Sequence, residues 1–163
     1  MKNRGFSLIE LLVVLGIIGI LSSFITPKVM VYMAKGKETK AVAVLESLRT
    51  ASQLYYLDKG ESFIKSTEYG EITAEQFKNL EKYLSENASD LVKDGKVVVE
   101  IGGSKEEADS EEIIYGGEIG FTTKDPEAIG EGDNKKSDGI NIWFDHGEEI
   151  KEYNINGDKW KEL

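Results

Sequence analysis

A single carboxylate, Glu10, interrupts the apolar stretch "FSLIELLVVLGIIGILSSFI" at residues 6–25. In a medium of low dielectric constant a carboxylate attracts a cation strongly, so the chemistry that Glu10 offers is charge pairing. Ser7 and Glu10 also have the S-x-x-E spacing of a capping box, and the helix dipole favours an acidic residue in the first turn. Capping explains how Glu10 is tolerated. It does not explain why Glu10 is present, because Ser7 could cap the helix alone.

The apolar stretch is long enough to cross a membrane. Twenty residues in a helix rise about 30 Å, which matches the thickness of a hydrocarbon core. Two basic residues, Lys2 and Arg4, precede it and are followed by Gly5. Basic flanks stay in the cytoplasm, so we expect the C-terminal part of the chain to lie outside.

Two general interpretations of this segment are open. A secretory signal peptide has an apolar region of about 7–15 residues and a small-x-small cleavage site. This apolar run is longer, and Ser22-Ser23-Phe24 matches such a site poorly. A plain single-span anchor fits the length but leaves Glu10 unexplained.

The stretch "RGFSLIELLVVLGIIGIL" closely resembles the processing signal of type IV prepilins and of the pseudopilins of type II secretion, and the resemblance extends from residue 2 to about residue 33. It implies that a prepilin peptidase in the membrane cleaves between Gly5 and Phe6 and methylates Phe6 as the new N-terminal residue. It further implies that Glu10 meets the terminal amine of a neighbouring subunit during assembly. Pro27 matches the proline that interrupts the helix in this family.

The sequence divides into a leader peptide at residues 1–5, a long helix at 6–58 and a head domain at 59–163. The transmembrane part of the helix is expected at about residues 6–26. Pro27 removes the amide that the Ser23 carbonyl needs, which predicts a kink or local melting around residues 22–28.

The second half of the helix has an apolar stripe that should pack on the head. Its residues recur at spacings of three and four: Ala41, Leu45, Leu48, Ser52 and Tyr55, widened by Ala34, Val44 and Ala51. Lys59-Gly60 is a typical C-terminal signal, so we expect the helix to end near Asp58.

The head alternates between short strand signals and turns. Thr73 and Gln76 form a second capping box, which predicts a short helix at about 74–86. Asp94-Gly95 predicts a hairpin turn. Further strands are predicted at "IIYGGEIGFTT", with a bulge at Gly116-Gly117, at "INIWFD" and at "EIKEYNI", with Trp160 in a short final strand. The predicted fold class is therefore α+β, in a pilin-like plan with one long N-terminal helix packed on a small antiparallel sheet of about four strands.

Composition excludes several kinds of function. The formal net charge is −10, and residues 59–163 hold 13 basic and 26 acidic residues, which argues against direct nucleic acid binding and against adhesion to anionic lipid. The acidity could serve solubility alone. The chain has no cysteine, so disulfides, thiolate metal sites and cysteine nucleophiles are ruled out. The single histidine, His146, lies in an apparent turn. We therefore expect no enzyme activity and no cofactor.

One polar loop contains oxygen ligands of the type that calcium prefers. They are Asp133, Asn134, Asp138 and Asn141. Some pseudopilins hold calcium in a C-terminal loop, but "DNKKSDG" lacks EF-hand spacing and contains two lysines. A solvated loop without metal is the preferred interpretation, and a calcium loop is the alternative.

The function predicted from these features is structural. The chain is expected to be a type IV pilin or pilin-like subunit, with a pseudopilin of a type II secretion system as the alternative and a monomeric membrane-anchored binding module as the second alternative. The expected partners are prepilin peptidase, membrane lipid before assembly, copies of itself and other pilin-like subunits, and an assembly platform. The expected location is the cytoplasmic (inner) membrane with the head outside, and then an extracellular or periplasmic filament.

Overall fold

A computed structural model describes residues 6–65, 70–84, 88–126 and 139–163. The chain divides into two compact units, residues 1–33 and residues 34–163. The first unit contains the N-terminal part of helix α1, which spans Leu8–Lys59. The second contains the remainder of α1 and the head.

Both ends of α1 follow from local sequence signals. At the start, the Ser7 amide donates to Glu10 Oε2 at 2.8 Å, and Ser7 Oγ accepts from the Ile9 amide at 3.3 Å. At the end, Gly60 has a φ of +72° and its amide donates to the Tyr56 carbonyl at 2.8 Å. The left-handed glycine is a common way to terminate a helix. The predicted cap and the predicted end near Asp58 are therefore confirmed.

Residues 22–28 are helical throughout, and Pro27 lies inside α1. The local melting that the sequence suggested is thus not seen in this structure. A kink at Pro27 stays a prediction.

One face of α1 forms part of the core of the second unit. The buried residues are Ala34, Glu38, Ala41, Leu45, Leu48, Ala51 and Ser52, and Tyr55 packs against the core with part of its surface exposed. Apart from Glu38, these are the residues of the predicted stripe. Burial of this stripe, at about 25 cal/mol per Å² of apolar surface, is what attaches the head to the helix.

The strands of the head form two antiparallel sheets. The first has four strands in the order β1-β2-β5-β6: Val92–Lys93, Lys96–Glu100, Glu118–Thr122 and Trp143–Asp145. The second has three strands in the order β4-β3-β7: Ile114–Tyr115, Gly103–Lys105 and Tyr153–Asn154. The α+β class is confirmed, although the sequence predicted one sheet rather than two.

The hairpin between β1 and β2 has the predicted turn. Lys93 pairs with Lys96, which leaves a loop of two residues. Asp94 has a φ of +50° and Gly95 a φ of +82°. Positive φ at both positions defines a type I′ turn, whose twist matches that of the strands it joins.

The predicted strand at residues 113–123 is corrected by the structure. It is two strands, β4 and β5, which belong to different sheets. Gly116 and Gly117, with φ values of +83° and +112°, carry the chain from one sheet to the other. A Cβ on Gly117 would lie 2.5 Å from Ile150 Cδ1, so the Ile150 side chain would have to move to admit one.

The predicted helix at 74–86 is shorter than expected. Its capping box is present, but α2 spans only Ala74–Phe77, and a 3₁₀ helix follows at Glu81–Tyr83. Asn79 lies between them and its side-chain amide donates to the Phe63 carbonyl at 3.3 Å. This contact ties the segment between the two helices to the loop that contains Phe63.

The predicted final strand at Trp160 is wrong. Trp160 begins a 3₁₀ helix, Trp160–Glu162, and only the preceding Lys159 makes an isolated bridge to Tyr153. The Trp160 side chain is fully buried and packs edge-on to Phe144 at 5.3 Å between ring centroids. Burial of so large an apolar group outweighs the weak pairing available to a terminal strand.

Glu38 is buried in α1 although it is a carboxylate, with 3% of its surface exposed. Its Oε2 accepts from the Ile155 amide at 3.2 Å, and its Oε1 accepts from Asn156 Nδ2 at 2.7 Å. Burial raises the pKa of Glu38, while these two hydrogen bonds oppose that rise. Glu38 therefore connects the helix to the segment that follows β7.

We expect Gly102→Ala to destabilise the head. A Cβ at residue 102 would lie 2.0 Å from the Ala34 carbonyl oxygen, so α1 would have to move. Overpacking of this kind costs about 1–3 kcal/mol or more. Denaturant unfolding of the full chain in detergent measures the change. Gly36→Ala is the control, because no atom lies within 4 Å of its added Cβ and alanine favours a helix interior by about 1 kcal/mol. Equal stability of Gly102→Ala and wild type would contradict the close approach.

We expect the stability gained by Glu38→Gln to depend on pH. The pKa of Glu38 is raised in the folded state, so its charged form opposes folding above that pKa. This penalty falls as the pH decreases through the folded pKa towards the ordinary value of 4.5. The stability difference between Glu38→Gln and wild type should therefore shrink as the pH is lowered from 7 to 4.5, measured by thermal unfolding.

The matched variant for this comparison is Glu38→Ala. It leaves the buried Ile155 amide without its acceptor, which costs about 1–3 kcal/mol at any pH. A difference between Glu38→Gln and wild type that does not change with pH would contradict the raised pKa.

Candidate assembly segment

The large apolar side chains of the first unit are exposed. Between residues 6 and 33 they include Phe6, Leu8, Ile9, Leu11, Leu12, Val13, Val14, Leu15, Ile17, Ile18, Ile20, Leu21, Phe24 and Ile25. An 18-residue window of α1 has a mean hydropathy of 2.6, and none of it is buried inside the protein. By length and composition this helix can cross a membrane. A helix that is apolar on all sides needs lipid or other protein around it.

Two hydroxyl groups in this segment donate hydrogen bonds within the helix. Ser23 Oγ donates to the Ile20 carbonyl at 2.7 Å, and Thr26 Oγ1 donates to the Ser22 carbonyl at 2.8 Å. Such bonds remove the cost of placing a hydroxyl in a medium without water. A serine or threonine hydroxyl in a helix commonly donates to the carbonyl three or four residues earlier, so these two bonds were predictable from the residue types.

Phe6 and Glu10 lie on the same side of the N-terminus. Together with Ile9, Val13 and Val14 they line a shallow open groove. Phe6 is 92% exposed. A neighbouring molecule could therefore reach both the backbone at Phe6 and the carboxylate of Glu10.

Among the residues from Phe6 onwards that the structure describes, the Glu10 carboxylate has a local hydrogen-bond partner but no cation. Its Oε2 accepts from the Ser7 amide, as in a capping box. None of the ion pairs among the described residues includes Glu10. Capping therefore accounts for one hydrogen bond and leaves the negative charge unneutralised, which is costly in an apolar surrounding.

Other predicted site residues lie partly outside the described chain. Gly5 precedes the first described residue. Of the candidate calcium loop, Asp133, Asn134 and Asp138 also lie outside, and only Asn141 is described. The calcium alternative stays a prediction. His146 lies in a turn, where its Nδ1 is 2.8 Å from the Gly147 carbonyl oxygen.

Comparison with known proteins identifies the N-terminal segment. Residues 1–26 match the model of the prokaryotic N-terminal methylation motif. This chain carries that motif. The match covers the leader, Phe6 and Glu10, and it confirms the resemblance to prepilins that the sequence indicated.

Relatives of the chain are pilins and type II secretion proteins. It is 34% identical over 102 residues to a fimbrial protein of Neisseria meningitidis serogroup B, which is 63% of this chain and 57% of that protein. It is 40% identical over 58 residues to the type IV major pilin protein PilA of Myxococcus xanthus, covering 36% of this chain and 26% of that protein. It is 42% identical over 57 residues to the type II secretion system core protein G of Escherichia coli, covering 35% of this chain and 39% of that protein.

The chain thus spans between about a quarter and just over half of the length of these relatives. No solved structure matches it significantly. The methylation motif and the apolar helix together indicate membrane anchoring.

Proposed function

We propose that this protein is a structural subunit of a type IV pilus or a related filament, and that it is not an enzyme. The observation that carries the proposal is the methylation motif at the start of a helix whose apolar surface is exposed on all sides. Membrane lipid would cover that surface before assembly, and the helices of neighbouring subunits would cover it afterwards. The hydrophobic effect favours either environment over water.

Processing would supply the cation that Glu10 lacks. Cleavage by a prepilin peptidase between Gly5 and Phe6 replaces a neutral peptide bond with an ammonium group, and methylation of Phe6 keeps that positive charge at neutral pH. In the apolar interior of a filament, the Phe6 ammonium of one subunit and the Glu10 carboxylate of another would attract strongly. Two buried charges are far less costly as a pair than alone, so this contact would fix the register between subunits.

The longest of the three matches described above favours a pilin over a pseudopilin. The match to the fimbrial protein of Neisseria meningitidis covers 102 residues, whereas the match to the Escherichia coli type II secretion protein covers 57. The first must therefore extend past α1 into the head. A pseudopilin of a type II secretion system is the alternative function, and a monomeric membrane-anchored binding module is the second.

We propose that the protein begins as a single-pass protein of the cytoplasmic membrane, with the head outside, and moves into an extracellular or periplasmic filament. Its partners would be the peptidase, an assembly platform, copies of itself and other pilin-like subunits. The acidic head would not bind nucleic acid directly.

We expect replacement of Gly5 by valine to block processing. The bulky side chain would occupy the position next to the cleaved bond, so the precursor would keep its leader. Mass spectrometry of the N-terminus measures this: wild type should begin at a methylated Phe6, and the variant at Met1. A wild-type protein that keeps Met1 in cells containing the peptidase would reject the filament proposal and favour the monomeric anchor.

We expect Glu10→Gln to be processed normally but to enter filaments poorly. Glutamine can keep the capping hydrogen bond, so this variant removes only the charge. Ser7→Ala is the matched control, because it removes the cap from the other side and keeps the charge. Its incorporation should stay close to that of wild type. Incorporation is measured as the amount of subunit in sheared filaments relative to total subunit. Normal incorporation of Glu10→Gln would show that the charge of Glu10 has no part in assembly.

A further inference from the structure

The edge strand β4 carries two exposed apolar side chains on an otherwise acidic surface. Ile114 and Tyr115 are 49% and 45% exposed. They lie in the outermost strand of the three-stranded sheet, paired on one side only, with β3. An unpaired edge with apolar side chains is a surface that proteins normally protect or use for binding.

Carboxylates lie directly before this strand. Glu111 and Glu112 are exposed and precede Ile114 and Tyr115 by a few residues. Neither forms an ion pair with any residue that the structure describes. We name these four residues, Glu111, Glu112, Ile114 and Tyr115, the acidic edge. Its chemistry fits a partner with an apolar surface and nearby positive charge.

A surface of α1 has the complementary chemistry. Gly36 is exposed, and a Cβ at this position would have no atom within 4 Å, so the helix has a notch there. Helical periodicity places Lys35 on one side of Gly36 and Lys40 on the other. Both lysines are exposed and neither forms an ion pair among the described residues. We name Lys35, Gly36 and Lys40 the basic notch.

The notch also has an energetic cost that the single chain does not explain. Glycine inside a helix is less favourable than alanine by about 1 kcal/mol. Since alanine would fit at residue 36 without a clash, the isolated fold gains nothing from glycine there. If another molecule approaches α1 closely at residue 36, the absence of a side chain there makes room for it.

We propose that the acidic edge of one subunit docks on the basic notch of a second copy of this chain. Tyr115 and Ile114 would contact α1 where Gly36 leaves space, with Glu111 and Glu112 close to Lys35 and Lys40. Charge complementarity favours a second copy: the head has 26 acidic and 13 basic residues, whereas residues 6–58, which remain after the proposed cleavage, have 4 acidic and 5 basic residues, Lys35 and Lys40 among them. The inference rests on the proposed filament function and specifies one contact within that filament.

Reciprocal charge reversal tests this contact. Glu111→Lys/Glu112→Lys should lower the filament yield by about tenfold or more, because like charges at an interface cost several kcal/mol. Lys35→Glu/Lys40→Glu should do the same. A chain that carries all four substitutions should regain most of the yield, since each pair of charges is then complementary again.

The matched control is Glu148→Lys/Glu149→Lys. These are also adjacent exposed glutamates, in the loop after β6, so the variant changes the net charge equally at another place. Its filament yield should stay close to that of wild type. A yield as low as that of the acidic-edge variant would overturn the proposal, and so would a four-substitution chain that does not recover.

Folding is checked separately by thermal unfolding of each variant in detergent. Lys35 interacts electrostatically with the buried Glu38, so a new carboxylate at residue 35 can disturb the fold. If Lys35→Glu/Lys40→Glu melts early, Lys35→Gln/Lys40→Gln replaces it, because it removes the attraction without adding a charge. An unchanged filament yield in this neutral variant would overturn the proposal.

Disulfide cross-linking gives an independent readout because the chain has no cysteine of its own. One tagged copy carries Tyr115→Cys and a second copy, with a different tag, carries Gly36→Cys. A mixed disulfide dimer in sheared filaments supports the contact, since the two tags exclude a bond within one chain. Leu57→Cys, at another exposed apolar site of α1, replaces Gly36→Cys as the control and should give no mixed dimer.

Different results would disprove the docking contact and the filament function. Filaments of processed subunits with no mixed dimer, or with equal cross-linking of the Leu57→Cys control, would overturn the docking contact and leave the filament function standing. If wild-type subunits are never processed at Phe6 and never form filaments, the filament function fails and the contact fails with it.

Discussion

The burial of one face of α1 between residues 34 and 52 is the contact on which the rest of the head depends. Ala41, Leu45 and Leu48 are fully buried in a core to which both the helix and the sheets contribute. With no cysteine to close a loop, this apolar contact and a few hydrogen bonds hold the head on the helix. Small residues in the stripe permit the head to approach α1 closely. Gly102 contributes to this close approach, because a Cβ at residue 102 would collide with the backbone of Ala34.

Polar contacts between α1 and the end of the chain supplement this packing. Arg49 Nε donates to the Ile142 carbonyl at 2.7 Å, and its Nη1 donates to the Leu163 carbonyl oxygen at 2.8 Å. Ser52 Oγ donates to the Ile140 carbonyl at 2.7 Å, and Glu38 binds the backbone and side chain after β7. Buried polar groups lose more when left unpaired than they gain when paired. These bonds therefore act mainly on specificity, because they fix residues 139–163 in one position on the helix. Their contribution to the free energy of unfolding is smaller.

The same helix serves two environments along its length. Residues 8–33 of the helix have no buried face, while the following residues have one face in the core and one outside. A filament subunit needs this division, because the apolar segment must exchange lipid for protein while the head stays folded. The charge of Glu10, which has no cation partner within the described part of the chain, and the unfilled space at Gly36 are both unfavourable in the isolated chain. Each becomes favourable only if a second molecule supplies the missing partner, a cation at the first and a close surface at the second.

Local signals in the sequence determined several features without the tertiary structure. The capping boxes at Ser7 and Thr73, the helix end at Gly60 and the hairpin at Asp94-Gly95 depend on backbone preferences within a few residues, so they were predictable. The methylation motif is also contiguous, and its resemblance to prepilins was visible from the basic residues before Gly5, from Phe6 and Glu10, and from the long apolar run that follows. Only the tertiary structure showed that β4 and β5 separate into two sheets, that Trp160 is buried in a 3₁₀ helix and that Glu38 is inside. These outcomes depend on which distant residues occupy the neighbouring space, such as Ile150 beside Gly117 and Ile155 beside Glu38. Contacts between residues far apart in the chain leave no signature in local spacing.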